Sequence, residues 1–125
     1  MSFGTEIYTK MIGSSSINSQ VKGVYFEHLP ENFDLTKNYI VYSFKKETGI
    51  STLSTADLLK NYKLYVKTIT PNNNTLLSLS DTLQTYLIGV VDSSIRFVDF
   101  VSDNHSLDLE KGIYENTLEF NVLYT

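Results

Sequence analysis

The stretch LLKNYKLYVKTITPNNNTLLSLSDTLQTYLIGV, residues 58–90, decides the fold because its hydrophobic period changes once along its length. Between Leu58 and Lys67 apolar and polar side chains alternate, which predicts a long strand with one solvent-exposed face. After the Pro and Asn residues at 71–74, apolar side chains recur at helical spacing until Gly89, a residue that can end a helix. The stretch therefore predicts a strand, a capping turn and a helix of about four turns.

Upstream of this stretch the sequence predicts one helix and two strands. Residues 2–13 place apolar side chains four positions apart between a capping Ser and a terminal Gly, which indicates a short amphipathic helix. A polar loop over 14–20 follows, and then a strand over 23–30 that ends where Pro30 lacks an amide donor. Residues 38–44 are apolar on both faces, a pattern typical of a central strand.

Downstream, two more strands complete the predicted sheet. Residues 94–102 form one strand, residues 103–112 a polar acidic loop, and residues 114–124 a final alternating strand. In the first of these strands the alternation predicts two faces, one with Ile95, Phe97 and Val101, the other with Val98 and Phe100. The predicted order is α-β-β-β-α-β-β in a single domain over 1–125. Adjacent strand pairs favour an α+β fold, a largely antiparallel sheet with two helices packed on one face.

Composition excludes several classes of function. The chain has 125 residues, a formal charge of −4 and no cysteine, so thiolate catalysis, disulfides and Cys-based metal sites are ruled out. With His28 and His105 as its two histidines, it lacks the ligands of a three-histidine metal centre. We therefore expect no metal and no cofactor. The acidic balance argues against general nucleic-acid binding, and short apolar runs argue against a membrane span or a leader.

One segment resembles catalytic machinery in composition. His105, Ser106 and Asp108 fall within a few residues of each other, but near neighbours on a loop seldom converge as nucleophile, base and orienting acid. No nucleotide-binding, zinc-protease or calcium motif occurs. The prediction is a protein that is not an enzyme, with a small enzyme or ligand-binding module built around His105 as the alternative from another class.

Three other segments are candidate interaction surfaces. Lys63, Tyr65 and Lys67 form a stripe on the solvent-exposed face of the alternating strand, a pattern suited to stacking nucleic-acid bases. Alternatively, the two lysines form ion pairs with Glu115 and Glu119 on a neighbouring strand. The loop Glu47–Asp57 is longer than a hairpin needs, and such loops usually serve a function. The acidic segment over 103–110 is a third candidate. The candidate subunit and partner contacts are Glu47, Ile50, Leu53, Asp57, Lys63, Tyr65 and Lys67.

The order of elements carries a family resemblance. The run Val24-Tyr25-Phe26-Glu27-His28-Leu29-Pro30, followed by Asn38-Tyr39-Ile40-Val41-Tyr42, resembles the opening of the tail-terminator (tail completion, tail-to-head joining) family of phages with long non-contractile tails, the siphoviruses. Many members of the family have Pro where this chain has Asn38. The alternating strand 62–66, the Asn-rich turn and helix, and the closing segment 112–122 continue the likeness over most of the chain.

The resemblance implies a structural role in the virion. It implies a homo-oligomeric ring, expected as a hexamer, at the head-proximal end of the tail, assembled in the bacterial host cytoplasm. The ring would stop tail-tube polymerisation, contact the tube protein and the head connector, and let DNA pass without specific binding. We expect the acidic residues Asp103, Asp108 and Glu110 to face this channel. A neck or head-completion protein, or the tube subunit itself, is the alternative within virion assembly.

Overall fold

The computed structural model describes residues 2–47, 60–92 and 94–124. Its elements, in chain order, are α1 (Phe3–Gly13), α2 (Ser15–Asn18), β1 (Gly23–Phe26), β2 (Tyr39–Lys46), β3 (Lys60–Thr70), α3 (Asn73–Ile88), β4 (Ile95–Asp108) and β5 (Ile113–Tyr124). The predicted α+β class and the main element order are confirmed. The short helix α2 is an addition, because residues 15–18 form one helical turn where a loop was predicted.

Both long helices begin at a residue whose side chain caps the helix N-terminus. The Ser2 side chain accepts a hydrogen bond from the Thr5 amide at the start of α1, and Asn72 accepts one from the Thr75 amide at the start of α3. Each helix buries one apolar stripe, and α3 ends beside Gly89 as its spacing predicted. The buried apolar residues of the two helices are Phe3, Ile7, Met11, Leu76, Leu79, Leu83 and Leu87.

The five strands form one sheet in the order β1-β2-β3-β5-β4. The pairs β2–β3, β3–β5 and β4–β5 are antiparallel, which confirms the largely antiparallel sheet. The pair β1–β2 is parallel although these strands are consecutive in the chain. A parallel pair needs a connection that returns the chain to the starting end, and the segment over 27–38 serves as that crossover.

Side-chain alternation divides the sheet into two faces with different coverings. The helix-covered face carries the main core, in which side chains of α1, α2 and α3 pack on all five strands. The helices thus lie on one face, as predicted. Aromatic rings fix the start of α1 there: Phe3 stacks on Tyr62 at 4.1 Å between ring centroids and meets Phe44 and Tyr124 edge to face.

The other face, named here the open face, is covered in part by the crossover among the residues that the structure describes. Leu29 and Phe33 of the crossover pack against a small cluster formed by Tyr39, Val41, Ile69 and Ile113. The Tyr39 hydroxyl accepts a hydrogen bond from the Asp34 amide at 2.9 Å, which holds the crossover against β2. The charged side chains of Lys63, Lys67, Glu115 and Glu119 lie beside this cluster on the same face.

Two boundaries differ from the prediction. Strand β1 ends at Phe26 and not at Pro30, because Glu27 has φ 69° and turns the chain out of the extended conformation. Strand β4 runs on through Asp108, so the predicted acidic loop over 103–112 is wrong for its first six residues. Polar sequence there predicted a loop, yet the segment is held in extended form by pairing with β5.

Val98 and Phe100 share a face of β4 as predicted, but the prediction that Ile95 shares a face with Phe97 is wrong. Irregularities between Ile95 and Phe97 and between Phe100 and Ser102 break the two-residue alternation. As a result Ile95, Val98 and Phe100 all pack into the helix-covered core, whereas Phe97 is 53% exposed. Within the described part of the chain, no helix is long and apolar enough to cross a membrane.

Candidate functional site

The stripe of Lys63, Tyr65 and Lys67 lies half-buried on the open face and is neutralised by the neighbouring strand. Lys63 Nζ donates to Glu119 Oε2 at 3.0 Å, and Lys67 Nζ lies 3.6 Å from Glu115 Oε1. The hydrogen bond to Glu119 raises the pKa of the Lys63 ammonium above its usual value. The predicted ion pairing with Glu115 and Glu119 is therefore confirmed. Because each of these lysines faces a glutamate, the stripe has little net positive charge to attract a phosphate backbone.

The loop Glu47–Asp57 is represented in the structure by its first residue. The Glu47 amide donates to the Asn61 carbonyl at 2.7 Å, adding one more rung beyond the last β2–β3 pair. The other candidate contact residues of this loop, Ile50, Leu53 and Asp57, lie outside the described residues.

The three acidic candidates do not form one patch. Asp103 is exposed on β4 and pairs in register with Leu118, on the same side of the sheet as the helices. Asp108 pairs with Ile113 on the open face, and its carboxylate accepts the amides of Glu110 and Lys111 in the β4–β5 turn. Asp108 therefore shapes the hairpin, while Glu110 is exposed in the turn itself.

The candidate catalytic pair is separated by the pleat. His105 is in register with Asn116 on the helix-covered side, whereas Asp108 projects to the opposite face. His28 follows β1, at the other edge of the sheet from His105. In the described ranges, no three His, Asp or Glu side chains form a group able to hold a metal ion. The structure therefore does not bring His105 and Asp108 together as a catalytic pair.

The structure exposes a surface that sequence reasoning missed, the outer half of β4. Every residue of Val101–Leu107 is exposed, although the segment is a strand paired with β5 along one edge only. Exposed apolar side chains accompany it: Val101 is 43%, Leu107 45% and the neighbouring Leu109 84% exposed. The available signal is the mixed run of apolar and polar residues over 103–109, which predicts a loop because it lacks a clean period.

The opposite edge of the sheet carries a different surface. Strand β1 has four residues and ends at Phe26, which is exposed and contacts Tyr42 and Phe44. Beside its first residue lies an open depression of about 340 Å³ with two exposed lysines, Lys22 and Lys37. The rest of its lining is Ser19, Gln20, Val21, Thr36 and Asn38.

Comparison with known proteins finds similarity at the level of fold. No protein-family model and no curated protein sequence matches the chain. Among solved structures, the fold is similar to that of a chain from the virion of a native gene transfer agent particle, with a TM-score of 0.67 and 12% sequence identity. The match covers 94% of this chain and 90% of the other. The shared fold therefore extends over nearly the whole of both chains.

Proposed function

We propose that the protein is a structural component of a phage-like virion and, more specifically, a tail terminator that forms a ring at the head-proximal end of the tail. The observation that carries the proposal is the fold match to a virion chain, because it spans 94% of this chain. The resemblance in sequence order to phage tail terminators supports the finer assignment. Assembly would take place in the host cytoplasm, with the protein ending in the particle.

The surface chemistry supports a role in assembly over a role in catalysis. The chemically reactive side chains are dispersed: His28 and His105 lie at opposite edges of the sheet, and Asp108 is used to shape a turn. In contrast, large apolar side chains are exposed at both edges, Phe26 on β1 and Leu107 near the end of β4. Exposed apolar groups of this kind mark contact surfaces between proteins.

The proposed partners are further copies of the chain, the tail tube protein and the head connector, with a hexamer as the expected copy number. We assign the candidate contacts Glu47, Lys63, Tyr65 and Lys67 to one such interface, together with the loop residues up to Asp57. The turn carrying Asp108 and Glu110 would lie at the rim of the channel. Carboxylates there would let DNA pass, since phosphate binding rises with each basic contact. Asp103 projects to the other face and falls outside this assignment.

Electron microscopy of particles produced without this protein tests the proposal. A terminator predicts heads without tails together with free tails of uncontrolled length, restored by supplying the protein in trans. Normal tails joined to heads would contradict it. Two alternatives give distinct results: tube subunits would polymerise into long tubes when purified and their loss would leave no tails, and a head-completion protein would leave free tails of normal length.

A further inference from the structure

The two edge strands of the sheet, β1 and β4, have residues in the same rows of the strand register. Following the register across all five strands, Gly23 of β1 lies in the same row as Ser106 of β4, and Phe26 lies in the same row as Asp103. The intermediate residues of these two rows are Tyr39, Ile69 and Glu115, and Tyr42, Val66 and Leu118. The four residues of β1 are thus level with the part of β4 that is exposed on both faces.

Strand direction permits these edges to pair between two copies. Strand β1 is parallel to β2 and β5 and antiparallel to β3 and β4, as the pairings across the sheet require. When two copies stand side by side in the same orientation, β4 of one therefore runs antiparallel to β1 of the next. Neither outer edge has a strand partner in the described part of the chain, so both offer backbone donors and acceptors.

Charge favours contact between unlike edges. The end of β4 carries Asp103 and Asp108, whereas the start of β1 follows Lys22, with Lys37 in the same depression. Lys22 precedes Gly23 and is therefore level with Leu107 on the helix-covered side, whereas Asp108 projects to the open face one position further along β4. Asp34 lies near this corner but is engaged by the amide and hydroxyl of Thr36. Pairing residues 103–108 with the same segment of a second copy would instead join two acidic stretches that carry no lysine or arginine.

We propose that segment Asp103–Leu107 of β4 pairs edge to edge with β1 of a second copy of this chain, head to tail. The contact uses a different surface on each copy, and such heterologous contacts close into rings when the rotation between copies closes. This inference deepens the proposed ring and rests on it for its biological meaning.

The chain has no cysteine, so cross-linking of introduced pairs tests the contact directly. We would mix the Lys22→Cys protein with the Leu107→Cys protein and add a short thiol-specific cross-linker. Both positions are exposed, so neither substitution should disturb the fold, and circular dichroism of each variant checks this. We would use about 1 mM protein, so that even a contact with a dissociation constant near this value is populated. The mixture should then give a product containing one copy of each variant. The doubly substituted chain should give a ladder of products.

Phe97→Cys is the matched control. It lies on the same strand and is 53% exposed, but its row, level with Asn61, is beyond the reach of β1. It should not cross-link to Lys22→Cys. Self-cross-linking of Leu107→Cys would reveal a two-fold contact between β4 edges and overturn the proposal, as would equal products from Phe97→Cys or no product at all.

Sedimentation supplies a second measurement. Leu107→Lys should weaken self-association about tenfold, Phe97→Lys should leave it unchanged, and adding Lys22→Glu to Leu107→Lys should restore it. Equal effects of the two lysine substitutions would overturn the edge contact. If the cross-links and the sedimentation effects are absent but particles made without the protein still show tail defects, the edge pairing alone is rejected. If the edges cross-link but such particles are normal, the terminator function is rejected.

Discussion

Lys10 Nζ lies 2.7 Å from Asp92 Oδ2, so an ion pair ties the last turn of α1 to the segment that leads into β4. The other carboxylate oxygen of Asp92 accepts the amides of Ser94 and Ile95, both at 2.8 Å. The hydrogen bond from Lys10, followed by those from the two amides, lowers the pKa of Asp92 from 3.8 to about 2. One side chain thereby fixes both the first helix and the start of the edge strand.

Asp92→Asn should destabilise the protein at neutral pH by about 1 kcal/mol, a value reduced from the full pKa shift because the pair is partly exposed. Since the folded-state pKa of Asp92 is depressed, its contribution is present above the unfolded value of 3.8 and is lost as pH falls toward about 2. Urea unfolding of both proteins across this range measures it. The assignment of this stability to the Asp92 carboxylate would be contradicted if the difference in free energy of unfolding between the two proteins did not shrink at low pH. An equal loss of stability from Asp99→Asn would contradict it as well.

Gly4→Ala should destabilise the protein although it improves helix propensity. A Cβ at Gly4 would lie 2.8 Å from Phe44 Cε1, and that ring is held by Phe3 and Tyr62, so it cannot move away cheaply. We expect a net loss of about 1 to 2 kcal/mol in the free energy of unfolding. Gly13→Ala in the same helix meets nothing within 4 Å and should be neutral or stabilising by up to about 1 kcal/mol. Thermal unfolding of both variants decides this, and equal shifts would refute the packing argument.

Gly112→Ala should lower the melting temperature. Gly112 has φ 68°, its amide donates to the Asp108 carbonyl at 2.8 Å, and this left-handed conformation costs a residue with a Cβ about 1 to 2 kcal/mol. Gly89→Ala is the control, because the φ of Gly89 is −89° and its nearest contacts are ordinary. Calorimetry should find a lower melting temperature for Gly112→Ala alone.

Lys63→Glu combined with Lys67→Glu tests the open face as an interface. Within one chain these partly exposed pairs are worth about 0 to 1 kcal/mol each, so the monomer should remain folded. Docking to the tail tube should be lost, measured by co-sedimentation. Adding Glu115→Lys and Glu119→Lys rebuilds both pairs with reversed sign and controls for effects on folding. If docking survives the double substitution or returns in the quadruple variant, the face is not the interface.

Agreement between sequence and structure is good where one face of a strand is buried. Along 62–67 and 114–124 the alternation identifies the buried side correctly, because burial of one face sets the period. The same alternation predicts the ion pairs of Lys63 and Lys67, because side chains on the same face of adjacent strands are close enough to pair. Prediction fails on β4, where the outer half is exposed on both sides and therefore carries no period, and where two irregularities shift the faces.

By itself the sequence determined the two helices, the positions of most strands and the absence of thiol chemistry, because capping residues, hydrophobic period and composition act locally. Only the tertiary structure decided the parallel pairing of β1 with β2, the placement of Asp103 and Asp108 on opposite faces, and the equal height of the two sheet edges. These features depend on backbone hydrogen bonds between strands distant in the chain. Such bonds join peptide groups, which are the same in every residue, so side-chain pattern alone does not encode which strands meet.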